Sequence, residues 1–203
     1  MDIIHTYLTP LTAWIIGLLI LTAFVVGWIR RRRTRVLREL NPRKITMKDI
    51  DRMEDGSEFE TYLYRLFTEL GYEEVYKTTG SRDFGADLVF TDRSGLRNVV
   101  QAKRYGMQSP VGLGAVQEIY ASMNYYRAHK SIVITSGRYT ESCAILAGAN
   151  GVTLLDREDL EEIITLFKGR RTEKAMDIIE REPEPFTGGW KGDKLRKGDK
   201  KHG

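Results

Sequence analysis

From Thr6 to Ile29 the chain carries no charged side chain, in the run TYLTPLTAWIIGLLILTAFVVGWI. At about 1.5 Å of rise per residue, a helix of this length spans a hydrocarbon core of roughly 30 Å. Pro10 sits in the opening turn, where a missing N–H costs least. Tyr7 and Trp28 lie near the two ends, where amphipathic rings favour the interface, and Trp14 lies deeper. A cleaved leader does not fit. The opening MDIIHT has no Lys or Arg, and no small-residue cleavage site comes after the apolar run. The run ends instead in RRRRTR, Arg30 to Arg35, a strong stop signal. The sequence therefore predicts one N-terminal transmembrane helix in the cell membrane. By the positive-inside rule its N-terminus is outside and everything after Arg30 is cytoplasmic.

The net charge of +4 is unevenly distributed. Residues 30–54 hold ten Lys/Arg against four acids, whereas residues 55–167 hold eleven against sixteen. Residues 168–203 are basic again, with eleven against seven. The basic character thus belongs to the flanks, so overall charge alone does not argue for nucleic-acid binding. One cysteine, Cys143, excludes an internal disulfide framework and fits a reducing compartment. Its setting, CAILA, reads as core packing rather than nucleophilic chemistry.

The chain divides into four regions. Residues 1–35 are the anchor with its basic stop segment, and residues 36–54 a linker or docking segment with a joint at Asn41-Pro42 and a small helix from near Thr46. Residues 55–167 form the folded domain, and residues 168–203 a short helix and a basic Gly- and Lys-rich tail expected to be disordered.

Within the domain, Phe59, Leu63, Leu66, Phe67 and Leu70 follow the helical period, with Ser57 as the expected N-cap and Gly71 as the stop. EEVYKTT predicts a strand and Gly80-Ser81 a turn. ADLVF (86–90) and Leu96–Lys103 predict a hairpin closed by TDRSG. Gly112–Arg127 predicts a helix, SIVITS a buried strand, Tyr139–Asn150 a helix and GVTLLD a strand. Asp156 caps a last helix, DREDLEEIITLF. The order α-β-β-β-α-β-α-β-α predicts an α/β fold with a mixed central sheet flanked by helices. No P-loop, HExxH, GxSxG or paired CxxC occurs, and GLG after Pro110 is not fed by a strand as a dinucleotide fingerprint requires.

The chemistry concentrates in DFGADLVFTDRSGLRNVVQAKR, Asp83 to Arg104. Residues two apart on a strand face the same side, so Gln101 and Lys103 project together, and hairpin pairing brings Asp87 alongside. A carboxylate, a carboxamide and an ammonium then converge at one end of the hairpin, a set suited to metal-assisted hydrolysis of a phosphodiester. Asp87 supplies a hard oxygen for Mg²⁺ (or Mn²⁺), Gln101 an oxygen or a hold on metal-bound water, and the Ala102 carbonyl a further ligand. Lys103 orients the attacking water and stabilises charge developing on phosphorus. Arg82, Arg104 and Arg138 border the expected site and suit phosphate contacts, which carry no sequence information. His129 has no second histidine near it to form a metal pair.

The segments Asp83-Phe84-Gly85-Ala86-Asp87 and Val100-Gln101-Ala102-Lys103-Arg104-Tyr105 resemble the core of Mrr-type restriction endonucleases, in the D…QxK branch of the PD-(D/E)xK nuclease superfamily. Phe59-Glu60 with Leu70-Gly71-Tyr72, Thr135 to Thr140, and Leu154-Leu155-Asp156 extend the resemblance over residues 55–167. It implies a restriction-endonuclease-like fold acting on DNA. It implies that Asp87 is the metal-binding acid, Gln101 the replacement for a more usual Glu, and Lys103 the catalytic lysine. Glu60 matches a position that often contributes another carboxylate, and Asp83 the first acid of the turn. A homodimer is also implied. The expected function is a membrane-anchored, Mg²⁺-dependent endonuclease restricting foreign or modified DNA. One rival is of a different class, a nuclease fold used only to bind or sense DNA; another, a Holliday-junction-type resolvase, shares the hairpin site but reads DNA shape.

Overall fold

The computed structural model describes residues 14–28, 40–78 and 84–185, which fall in two units, Met1–Asn41 and Pro42–Gly203. In the first unit, residues 14–28 form helix α1. Among the described residues no helix is long and apolar enough to cross a membrane, the described helix covering only part of the uncharged run. The Arg30–Arg35 cluster, the turn holding Arg82 and Asp83, and the basic tail lie outside the described residues.

The second unit holds α2 (Met47–Asp51), α3 (Gly56–Leu70), β1 (Glu73–Lys77), β2 (Leu88–Thr91), β3 (Arg97–Lys103), α4 (Gly114–Tyr126), β4 (Lys130–Thr135), α5 (Glu141–Asn150), β5 (Val152–Leu155), α6 (Arg157–Lys168) and α7 (Thr172–Ile179). The sheet order is β1-β2-β3-β4-β5. β1, β2 and β3 run antiparallel in sequence, while β3, β4 and β5 run parallel. The mixed sheet and the hairpin expected from the sequence are both present.

Alternation along the strands sorts the two faces. Val89, Val99, Val133 and Val152 pack with Val116 and Ile119 of α4 and with Cys143 and Ala147 of α5. The intervening residues, among them Leu88, Phe90 and Val100, are fully buried toward the other face, where Phe67 of α3 meets the Phe90 ring edge-on at 5.0 Å. Burial pushes the Cys143 thiol up to about 11, as suits a packing residue. The segment 42–54 is docked by its apolar side chains: Ile50 is fully buried, and Ile45, Met47 and Met53 nearly so. The Arg157 guanidinium grips both oxygens of Asp51 at 2.7 and 2.8 Å.

Local chemistry sets the element limits. α3 starts earlier than Ser57 would place it, because the Asp55 carboxylate accepts from the Glu58 amide at 3.0 Å. Ser57 instead accepts from the Lys77 ammonium at 3.1 Å through its hydroxyl. The β2–β3 hairpin turns at Asp92, whose buried carboxylate accepts from the amides of Ser94 and Leu96, both at 2.9 Å, and from the Asn98 carboxamide at 3.1 Å. Burial opposes ionisation of Asp92. The bonds from Leu96, Asn98 and Ser94 and the charge of Lys130 outweigh it, and hold the carboxyl below the usual range.

These contacts can be tested at two positions. Asp92→Ala leaves three donors without their acceptor and is expected to cost about 3 kcal/mol. Because the folded carboxyl titrates below the unfolded one, its contribution is fully present above about pH 4. It is lost as pH falls through the lower folded value, so the stability gap between wild type and Asp92→Ala should narrow in acid. Denaturant titrations at pH 7 and in acid check both parts. Gly85 has φ +89°, and a Cβ there would lie 2.8 Å from the Glu118 carbonyl oxygen. Gly85→Ala is therefore expected to cost about 1–3 kcal/mol through backbone strain and displacement of α4, read as a lowered unfolding temperature.

Candidate active site

β3 carries the QxK motif on its C-terminal half. Gln101 and Lys103 share the face of Val99, which packs under α4. Gln101 is only 3% exposed, while Lys103 is half-buried at the strand end. The end of β3 is tied to that of β4: the Lys103 carbonyl accepts from the Thr135 hydroxyl at 2.8 Å and the Ser136 amide at 3.2 Å.

Asp87 stands one residue before β2, opposite Gln101 in the register continued from the Leu88–Val100 pair. Its backbone is held on both sides: the amide donates to the Val100 carbonyl at 2.8 Å, and the carbonyl accepts from the Thr78 amide at 3.0 Å. The carboxylate accepts from the Ala102 amide at 2.7 Å, which seats it beside the motif. Peptide groups two apart on a strand point the same way, so the Ala102 carbonyl is directed to the same edge as that of Val100, toward Asp87. The structure thus brings Asp87 and the 101–103 segment together, as the hairpin argument expects. Gly85 permits this approach by letting the turn lie against the α4 backbone at Glu118.

Glu60 takes another partner. Its carboxylate closes on the Lys77 ammonium at 2.9 Å, and that ammonium also reaches the Thr61 hydroxyl at 3.2 Å. Lys77 is paired with Leu88, whose side chain is on the α3 face of the sheet, while Gln101 and Lys103 project to the α4 face. Arg104 follows Lys103, half-buried with its Nε buried and without a hydrogen-bond partner among the described residues. Arg138 is exposed just beyond β4. Arg82 lies outside the described residues.

One residue of the site was not anticipated. Glu118 of α4 accepts through Oε2 from Gln101 Nε2 at 2.6 Å and from the Lys103 ammonium at 3.2 Å. Burial works against its ionisation, but the hydrogen bonds of Gln101 and Lys103 and the Lys103 charge prevail and hold the carboxyl below the usual range. Its sequence signal was slight: it is the sole acid of α4, directly before the buried Ile119. Gln101 Oε1 is buried and has no hydrogen-bond partner among the described residues. A carboxylate, an unpartnered carboxamide oxygen and a backbone carbonyl form an all-oxygen donor set, which fits a hard divalent cation.

No curated protein matches this chain. Among solved structures, the DNA modification-dependent restriction endonuclease AspBHI is similar at 16% identity and a TM-score of 0.48, over 70% of this chain and 38% of that one. The restriction endonuclease MspJI, in complex with a 27-mer oligonucleotide, is similar at 19% identity and a TM-score of 0.44, over 74% of this chain and 38% of that one. This chain therefore spans well under half the length of either enzyme. The Mrr_cat family model, described as restriction endonuclease, matches residues 50–164, the whole sheet and both of its helical faces. That match covers more than half of the chain, and it agrees with the D…QxK constellation seated around β3: the chain belongs to the Mrr_cat family of restriction endonucleases.

Proposed function

We propose that this protein is a membrane-anchored endonuclease that hydrolyses DNA phosphodiester bonds with a divalent cation, Mg²⁺ or Mn²⁺. One observation carries the reading: the Asp87 carboxylate is seated on the Ala102 amide at 2.7 Å, beside a Gln101 oxygen that is buried without a partner among the described residues. A buried carboxamide oxygen with no hydrogen-bond donor keeps its lone pairs available to a cation. Asp87, Gln101 Oε1 and the Ala102 carbonyl would hold the cation. When bound, it supplies Lewis-acid charge at the scissile phosphate and lowers the pKa of water.

Lys103 works next to these ligands. Its ammonium orients the attacking water through a hydrogen bond and stabilises negative charge as it builds on the phosphoryl oxygens. The water oxygen bonds to phosphorus as the P–O bond to the leaving sugar oxygen breaks. The attacking water gives up its proton to solvent, and the leaving oxygen takes one from solvent, so that a phosphate monoester and a sugar hydroxyl result. Arg104 and Arg138, flanking the motif and the end of β4, suit phosphates on either side of the cut and fix register without reading sequence. Glu60 is engaged by Lys77 on the α3 face, so the cation set rests on the other three donors.

The anchor rests on different support. Trp14, Phe24 and Trp28 are 80%, 73% and 57% exposed on α1, and the helix is apolar on every face, a surface unsuited to water. Together with the arginines after it, this supports a nuclease on the cytoplasmic side, where DNA entering the cell first appears, and makes restriction of foreign or modified DNA the fitting role.

Two outcomes are expected. The full-length protein in detergent micelles should nick or linearise plasmid DNA with Mg²⁺ or Mn²⁺ and stop on chelation. Lys103→Ala should lower the rate by about 10²–10³-fold or more with the fold intact. Cleavage by Lys103→Ala at the wild-type rate would remove the assignment, and methylated beside unmethylated plasmid tests the restriction role. In cell fractions, the chain should stay with membranes through alkaline carbonate extraction, whereas a form lacking residues 1–35 should not. Release of the intact chain would rule the anchor out.

A further inference from the structure

The QxK motif leaves β3 with a neutral carboxamide where a second carboxylate would give a divalent cation more charge. The nearest negative group is on another element. Glu118 of α4 lies 2.6 Å from Gln101 Nε2 and 3.2 Å from the Lys103 ammonium, through the same oxygen. We propose that Glu118 is the positioning residue of this site: it sets the orientation of the Gln101 carboxamide and supplies from the helix the negative charge that the strand lacks. The inference rests on the metal-dependent reading above.

An ionised carboxylate only accepts hydrogen bonds, so the carboxamide must present its NH₂ to Glu118. Oε1 is thereby turned the other way, into a buried position with no hydrogen-bond donor among the described residues. Without Glu118 the carboxamide could flip, and a donor NH₂ facing a cation repels it. Glu118 thus decides which end of Gln101 reaches the metal position. Holding Lys103 with the same oxygen also fixes the ammonium in register with the carboxamide.

The arrangement accounts for the residue type at position 101. A glutamate there would set two carboxylates at hydrogen-bond distance, and like charges so close disfavour joint ionisation. A strand carboxamide facing a helix carboxylate is the complementary pair. The backbone supports it as well: Gly85, two residues before Asp87, lies so near Glu118 that a Cβ would meet its carbonyl oxygen at 2.8 Å. The turn leading to Asp87 and the helix turn bearing Glu118 are therefore packed as one unit. An ordinary surface ion pair between Glu118 and Lys103 would need neither the buried carboxamide nor this contact.

The test is Mn²⁺ binding by the full-length protein in detergent micelles, followed by electron paramagnetic resonance of the free ion. Wild type is compared with Glu118→Ala and with the exchange Gln101→Glu/Glu118→Gln. Glu118→Ala should weaken Mn²⁺ binding by about 10-fold or more, as loss of an outer partner of a metal ligand does. Its unfolding temperature should stay near that of wild type, since the side chain is 55% exposed. The exchange restores a donor–acceptor pair with the roles reversed and should bring affinity back to near the wild-type value. Undiminished Mn²⁺ affinity in Glu118→Ala overturns the proposal, and so does an exchange variant as weak as Glu118→Ala. If wild type itself takes no Mn²⁺, the metal-dependent reading falls first and this one with it. That failure appears in wild type, whereas a failure of the Glu118 proposal alone appears only in the variants.

Discussion

Strand β3 is bonded on both sides, and the site depends on that. It runs antiparallel to β2 and parallel to β4, so its backbone groups have partners along both edges and its five central residues are buried. A strand in this position cannot slip by one residue without exchanging its two faces. Gln101 would then leave α4 and Val100 would take its place. The packing of both faces of the sheet therefore also keeps the carboxamide and the ammonium aimed at one helix.

The polar groups on β3 are placed at its two ends and serve different purposes. At the N-terminal end, Asn98 donates to the Asp92 carboxylate within a hairpin turn whose donors are satisfied by that acid. The Asn98 Oδ1 is left buried without a hydrogen-bond partner among the described residues, as is Gln101 Oε1 at the C-terminal end. The C-terminal end differs in its company: Gln101 shares the Glu118 carboxylate with Lys103, and the Asp87 carboxylate is seated on the Ala102 amide between them. The sheet edge is similarly tied. The Tyr139 hydroxyl lies 2.7 Å from the Val133 carbonyl and 3.0 Å from that of Leu155, bridging β4 and β5.

Much of the fold is legible in the residues because it comes from period and burial. The stripe Phe59, Leu63, Leu66, Phe67 and Leu70 marks α3, and each of these side chains is buried. The turn TDRSG marks the hairpin, and Asp156 marks the start of α6 by accepting from the amides of Glu158 and Asp159. Where two capping residues stand close together, as Asp55 and Ser57 do, sequence alone does not rank them. The choice involves Lys77, twenty residues away, which engages Ser57. The segment 42–54 looks like a linker by composition because its apolar residues are scattered, yet scattered residues suffice to bury Ile50.

The uncharged N-terminal run, the mixed sheet, and the convergence of Asp87 with Gln101 and Lys103 can all be read from the residues alone. Each is a short-range matter of composition, of a two-residue strand period, or of a hairpin joining neighbours in the chain. Which carboxylates attend the motif is instead a matter of how the helices pack. Glu60 and Glu118 both stand on helices beside buried apolar residues, and nothing local distinguishes their roles. The sheet separates them, with α3 on one face giving Glu60 to Lys77, and α4 on the other giving Glu118 to Gln101 and Lys103. Which face a helix covers is set by how the whole chain closes around β3, a long-range consequence of packing that no window of residues contains.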